Sequence, residues 1–307
     1  MYFLTDEERK HLLKGLLPRS RDQGVADELR GWNWSQPPLS PVYDMPLAIY
    51  EVAGAYCPTN RDLYLRRVER VRPKPSPAMA RGSALHAALV HVLVAAKRLI
   101  YAHGVDNYQE IFRSLQELVP LSIEPYTRDL APTEAESLRQ KALIIHDFER
   151  ARIIARIQEI LTKHPYIGED SLVSLALPVV VEQKLDGSFL GLSANLSTDA
   201  FTFCEPMILD LKFGEPRKFH RLQTTGYALV MEAIYEFPVN LGCLVYAEFR
   251  GNRLIIKKDL HVIDDELRQW FIEARDEKAR MIYEEIDPGV AEECHPSCYC
   301  YQVCHGR

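Results

Sequence analysis

The sequence has no long unbroken apolar run, little cysteine before its final residues and no excess of basic charge. Its longest apolar stretch, around "ALVHVLVAA", is too short and too interrupted to read as a bilayer span. The N-terminal "MYFLTDEERKHLLKGLLPRSR" lacks the apolar centre of a secretion signal. A cytoplasmic protein that does not engage a membrane is expected. Lys and Arg number 37 against 43 Asp and Glu, a formal net charge of −6. That balance excludes a protein that coats nucleic acid through bulk charge, so any DNA site has to be local. Seven cysteines, an odd number, point in a reducing compartment to metal binding more than to disulfides.

What is present suits a folded protein: 47% apolar and 26% charged residues over 307 positions, without an internal repeat or low-complexity segment. The length allows one elaborated domain. Residues 1 to about 45, with "WNWSQPPLSP", read as an irregular arm preceded by a short helix. The proline-rich "RPKPSP" breaks the chain, and a long helix is expected from Ser83 to about His103, followed by more helix to about His164. The stretch from "SLVSLALPVVV" to "LDLKFG" is rich in β-branched and aromatic residues, predicting three or four strands. A helix from about Arg217 to Glu236, a hairpin turning at Gly251-Asn252 and a charged helix from about Asp264 to Glu285 complete the outline.

The sharpest chemical signal is "DAFTFCEPMILDLKFG". A two-residue turn at Glu205-Pro206 would pair Phe201 with Asp210 and Asp199 with Lys212. Residues two apart on a strand share a face, so Asp199, Asp210 and Lys212 would converge. Two carboxylates and a lysine suit metal-assisted phosphodiester hydrolysis: the carboxylates hold Mg²⁺ or Mn²⁺ and the lysine orients or stabilises the attacking hydroxide. The triplet alone is weak, because Glu8-Arg9-Lys10, Glu182-Gln183-Lys184 and Asp276-Glu277-Lys278 repeat it as expected solvated charge pairs. Context strengthens it. "GSALH" places His86 in the first turn of the long helix, as a metal ligand near an anion-favouring helix end or as a capping histidine. Gln223 and Tyr227, four apart on the next helix, could hold a DNA strand, and Glu182 on the preceding strand could add a carboxylate. Arg66, Arg67, Arg70, Arg72 and Lys74 form a basic stripe fit for phosphate or for a solvated helix end. Trp32 and Trp34 are expected to pack the arm, and Cys204 and Cys243 to be core thiols in strands.

The tail "CHPSCYCYQVC" carries Cys294, Cys298, Cys300 and Cys304. With His295 and His305 nearby it could close a zinc site. Cys298-x-Cys300 is an awkward spacing for two ligands of one ion, which favours recruitment of a distant cysteine.

In this order, "GSALH", "STDAF", "LDLKFG" and "QTTGY" resemble the motifs of RecB-like nucleases of the PD-(D/E)xK superfamily. One cysteine upstream and several downstream are similar to its iron–sulfur branch, and "YCPTNRDLYLRRV" with "CHPSC" resembles the CRISPR-associated exonucleases of the fourth Cas family in their archaeal subtype I-A Csa form. The resemblance covers roughly residues 45 to 307. It implies an α/β fold: an arm over 1–45, then one RecB-like domain over 46–307. Within that domain it implies a helical region over 83–165, a sheet-rich core over 172–263 and an iron–sulfur tail over 294–304. It implies metal ligation by His86, Asp199 and Asp210, a catalytic Lys212, DNA positioning by Gln223 and Tyr227, and a [4Fe–4S] cluster on Cys57, Cys294, Cys298 and Cys304, with Cys300 spare. The implied activity is trimming of DNA ends for spacer acquisition, alongside the spacer integrase complex. The alternatives are a non-catalytic iron–sulfur DNA-binding or assembly subunit, or a repair nuclease of the same fold.

Overall fold

The computed structural model describes residues 1–72, 76–294 and 298–306. Lys74 and His295, which the basic stripe and the zinc reading invoke, lie outside the described residues. The first helix, α1 (Asp6–His11), is capped by Thr5 and Glu8 in a reciprocal box and runs through a π turn into α2 (Leu17–Gln23). Two short helices, α3 (Ile49–Ala53) and α4 (Arg61–Arg67), precede the long α5 (Pro77–His103). Then come α6 (Tyr108–Gln116), α7 (Glu124–Thr127), α8 (Pro132–Lys163) and α9 (Glu169–Ala176).

Two of these differ from the sequence-based expectation. Ser76 caps α5 and Pro77 occupies its first turn, so the helix begins six residues before Ser83 and His86 sits in the third turn, away from the helix end. The segment "EDSLVSLA", read as the start of the sheet, is α9, because Leu172 and Ala176 are buried four residues apart on one face. Helix α5 also has the length and hydropathy of a membrane span, which its sequence was expected to lack. Half of that window is buried in the protein, where Leu85, Leu89, Val92, Leu93 and Ala96 pack as core.

Among the described residues the strands form a two-stranded and a five-stranded sheet. They are β1 (Val180–Val181), β2 (Lys184–Leu185), β3 (Leu196–Ser197), β4 (Ala200–Thr202), β5 (Met207–Lys212), β6 (Leu241–Arg250) and β7 (Arg253–Val262). The larger sheet has the order β1-β4-β5-β6-β7, antiparallel except for β5 and β6. The parallel pair is joined by a crossover through α10 (Arg221–Tyr235). The hairpin of β6 and β7 turns at Gly251-Asn252 as expected, pairing Arg250 with Arg253. Two helices follow, α11 (Asp265–Tyr283), capped by Asp264, and α12 (Tyr301–His305).

Strand β5 separates two cores. Met207, Leu209 and Leu211 enter the larger one with α5 and α8; Ile208 enters the other with α10 and α11, and Asp210 and Lys212 share its parity. Met1, Tyr2 and Phe3 belong to the larger core, and Trp34 packs on Phe189. Cys243 is a buried thiol of β6, but Cys204 is exposed in the β4–β5 turn.

Helix α11 is a rack of buried cations. Arg268 donates to Leu29 O, Arg275 to Leu39 O at 2.6 Å, and Lys278 to the carbonyls of Glu51, Val52 and Gly54. Lys278, expected to be solvated, instead neutralises the carbonyl end of α3, and burial lowers its pKa to about 8. Fully buried Glu232 accepts bonds from Arg30, Arg268 and the backbone N–H groups of Gly31 and Val239, all at 2.7–2.9 Å. Burial alone would push its pKa up; Arg268 and Arg30 outweigh that and hold it down. Glu232→Ala leaves two guanidinium groups uncompensated and should cost about 3–5 kcal/mol of stability in chemical denaturation. A loss below about 1 kcal/mol would show that the network does not hold the N-terminal segment.

Candidate active site

The β4–β5 turn sets the geometry of the site. A two-residue turn at Glu205-Pro206 would put proline at the third turn position, where it forces its predecessor out of the helical region. The chain uses four residues, 203–206, and pairs Thr202 with Met207, Phe201 with Ile208 and Ala200 with Leu209. The pairings of Phe201 with Asp210 and of Asp199 with Lys212 are therefore wrong by two residues. An even slip preserves the face, so the convergence survives. One step beyond the last pair, Asp199 lies opposite Asp210, and one step beyond Val181↔Ala200, Glu182 lies opposite Asp199. Three carboxylates thus cross β1, β4 and β5 in a row. Glu182 has φ of 51°, a strained conformation for a residue with a side chain, and ends β1 there.

Asp210 is 1% exposed. Lys212 Nζ lies 2.7 Å from its Oδ2 and 2.7 Å from Gln223 Oε1. The approach to Oδ2 is off the hydrogen-bonding direction, so that oxygen has no properly aligned partner. Burial raises the Asp210 pKa to about 6; Lys212 opposes this and Asp199 adds to it. Lys212 stays protonated, because Asp210 outweighs the lowering effect of burial. Asp199 Oδ2 accepts the backbone N–H of Leu211 at 2.9 Å. His86 reaches in from α5, with Nε2 at 3.7 Å from Glu182 Oε1 and Nδ1 at 3.8 Å from Asp199 Oδ2.

The donor set fits a hard divalent ion. Three carboxylates and one imidazole are the ligand types that Mg²⁺ or Mn²⁺ accepts, and the unsatisfied Asp210 oxygen is the group a cation would complete. As the side chains stand, no three His, Cys, Asp or Glu among the described residues are arranged to hold an ion. Lys212 pairs with Asp210 where a ligand bond would form.

The other expected residues divide. Gln223 joins the site through Lys212. Tyr227 is buried and donates its hydroxyl to Ser197 O at 2.6 Å, so it braces the strand after β2 from within. Arg66 and Arg67 lie 3.5 and 3.6 Å from the carboxylate of Glu51, and Arg67 also donates to Pro46 O.

Residues that the sequence did not signal stand at the same site. Tyr2 is hydrogen-bonded to His86 Nδ1 at 3.0 Å. His220, just before α10, bonds Tyr56 through Nε2 at 2.9 Å and Tyr246 through Nδ1 at 3.1 Å. Burial, then Lys212 and Arg217, lower its pKa to about 4, so the imidazole is neutral and serves as a wedge. Tyr56, 72% exposed and edge-on to Phe219, offers an open aromatic face beside Lys212. Its position next to Cys57 was the one available signal.

At the far end of the chain the thiols gather. The Cys294 thiol is pushed up by burial and then by Cys298, Cys304 and Cys57, although as the side chains stand no three described cysteines are arranged to hold an ion. Cys300 is 1% exposed, and burial pushes its thiol up to about 12, which disfavours the thiolate that a metal needs. The two ends are tied by side chains as well: Arg61 grips Asp287 with two nitrogens, Thr59 donates to Gly289 O at 2.9 Å, and Tyr299 donates to Asp62 at 2.9 Å.

The Asp210 shift has a pH signature. Between about pH 4 and 6 the folded chain holds a proton that the unfolded chain has released, so this stabilisation is present below that window and lost as pH rises through it. In chelator, Asp210→Asn should unfold at a higher temperature than the parent at pH 8, with the gap closing towards pH 4. A gap that does not change with pH would contradict the burial of an uncompensated carboxylate.

The model of the family described as CRISPR-associated exonuclease Csa1 matches residues 1–307. The chain is 34% identical over 285 residues to a CRISPR-associated exonuclease Csa1 of Saccharolobus solfataricus, spanning 92% of this chain and 93% of the relative. It is 30% identical over 282 residues to a protein of the same description from Thermoproteus tenax, spanning 91% of each. Matched along its whole length and sharing a third of its residues with such a relative, the chain belongs to the CRISPR-associated exonuclease Csa1 family.

Proposed function

We propose that the chain is a Mg²⁺- or Mn²⁺-dependent DNA exonuclease on a RecB-like PD-(D/E)xK core, trimming DNA ends into prespacers during spacer acquisition alongside the spacer integrase complex. The observation that carries this reading is the buried Asp210, with one unsatisfied oxygen, flanked by Lys212, Asp199, Glu182 and His86. His86, Asp199 and Asp210 would hold the ion, with Glu182 beside His86. When bound, the ion would polarise the scissile phosphate and acidify water. Lys212, kept protonated and held by Gln223, is placed to stabilise the negative charge that develops on the phosphate. Lys212 and Arg217, after burial, keep the nearby His220 neutral. The exposed face of Tyr56 suits an unpaired base at a DNA end.

The same reading gives Cys57, Cys294, Cys298 and Cys304 a [4Fe–4S] cluster of structural role and leaves Cys300 as a buried core thiol. The influence of Cys298, Cys304 and Cys57 on Cys294 supports the ligand set, and the burial of Cys300 supports its exclusion. Closing the chain from Cys57 to the tail would constrain the unfolded state by roughly 5 kcal/mol, by analogy with a disulfide closing a loop of that length.

End-labelled single-stranded and overhanging DNA, incubated with anaerobically purified protein, should be shortened with Mn²⁺ and left intact in chelator. Asp210→Ala and Lys212→Ala should each lower the rate by at least about a hundredfold. Cleavage unchanged by Asp210→Ala would favour a non-catalytic DNA-binding subunit. Separately, Cys57→Ala should lose the brown visible absorption of the cluster and Cys300→Ala should retain it. A colourless parent protein with stoichiometric zinc would replace the cluster with a zinc site.

A further inference from the structure

Tyr2 belongs to a segment that neither the sequence motifs nor the family description connects with chemistry. It is fully buried, although it lies four residues before the first helix. Its neighbour Phe3 is fixed from two sides: Arg152 of α8 sits 4.2 Å over the Phe3 ring, and the Phe3 carbonyl accepts from Arg152 at 3.3 Å and from Lys258 of β7 at 3.2 Å. Lys258 is itself paired with Glu8 at 2.7 Å. The backbone at Tyr2 is therefore set by a helix and a strand that both lie outside the candidate ligand set. From that anchored position its hydroxyl reaches His86 Nδ1 at 3.0 Å, and the same nitrogen lies 3.8 Å from Asp199 Oδ2.

We infer that Tyr2 is a positioning residue for the metal site, its hydroxyl accepting a hydrogen bond from His86 Nδ1–H. This rests on the metal-site reading proposed above. A histidine has one lone pair to give when neutral, and the nitrogen that carries the proton decides which one. With the proton on Nδ1 and bonded to Tyr2, Nε2 keeps its lone pair and faces the Glu182 side of the site, where its distance to Oε1 is 3.7 Å. The ring is also held from turning, because Tyr2 meets it edge-on with centroids 6.2 Å apart. Ligand histidines elsewhere are oriented in this way by a carboxylate, carbonyl or water on the second nitrogen. Here a phenol takes that place.

The test uses the full-length protein in four forms: parent, Tyr2→Phe, His86→Ala and the double variant. Free Mn²⁺ is followed by electron paramagnetic resonance during titration, and thermal unfolding is measured in chelator. Tyr2→Phe keeps the buried ring, so its Mn²⁺ affinity should fall about 10–100-fold through loss of the hydroxyl alone. In the His86→Ala background the same substitution should weaken Mn²⁺ binding much less than it does in the parent. Mn²⁺ affinity within twofold of the parent, with only the unfolding temperature lowered, would reduce Tyr2 to a packing residue and overturn the inference. An equal loss in both backgrounds would overturn it too, since Tyr2 would then act without His86. Should the parent take up no Mn²⁺, or His86→Ala bind it as the parent does, the metal-site reading itself falls, and this inference with it.

Discussion

A carboxylate with 1% exposure sits in the middle strand of a five-stranded sheet, and its surroundings do not fully satisfy it. Burial of Asp210 costs free energy that an apolar residue would not, and Lys212 from the same strand offsets only part of it, so the pKa of the carboxyl is raised. The arrangement makes sense if a further cation completes the balance. The neighbours are placed accordingly: Asp199 and Glu182 extend the row across β4 and β1, Gln223 of α10 holds the lysine, and His86 enters from α5. Both cores meet at this point, since β5 sends alternate residues into each.

Two distant parts of the chain serve the same site. The first residues, fixed on α8 and β7, deliver Tyr2 to His86. The segment around Cys57 delivers Tyr56 to His220, and that segment is tied to the C-terminal region by Arg61, Thr59 and Tyr299. Helix α11 carries the load between them: its buried Arg268, Arg275 and Lys278 seek out backbone carbonyls between Leu29 and Gly54 and fix the path that leads to Cys57. The tail cysteines thus lie at one end of a run of side-chain contacts whose other end is His220, just before α10.

Local pattern carried a large part of this architecture. The hairpin at Gly251-Asn252, the helices before and after it, and the shared face of Asp199, Asp210 and Lys212 follow from periodicity and turn residues. The face survived a wrong register because the slip was even, a consequence of the two-residue period of a strand. What failed was context. Leu172 and Ala176 in "EDSLVSLA" satisfy a short apolar run as well as a helix face, and packing on α8 chose the helix. Ser76-Pro77 was a better start signal than Ser83, which moved His86 inward. Lys278 reads as solvent-exposed until the carbonyl end of α3 is found against it. Tyr2 had no motif, and Tyr56 only its place at the head of "YCPTNRDLYLRRV"; they reach the site through partners 84 and 164 residues away in sequence, which no local pattern encodes.

We propose the row of carboxylates on β1, β4 and β5 as a cation site, at which Lys212 pairs with Asp210 at 2.7 Å. Anomalous diffraction from a crystal grown with Mn²⁺ tests it directly. The account predicts a peak within bonding distance of Asp210 and Asp199, His86 Nε2 or Glu182 completing the shell, and Lys212 withdrawn from Oδ2. An unchanged 2.7 Å contact between Lys212 and Asp210, with Mn²⁺ bound elsewhere or not at all, would contradict it.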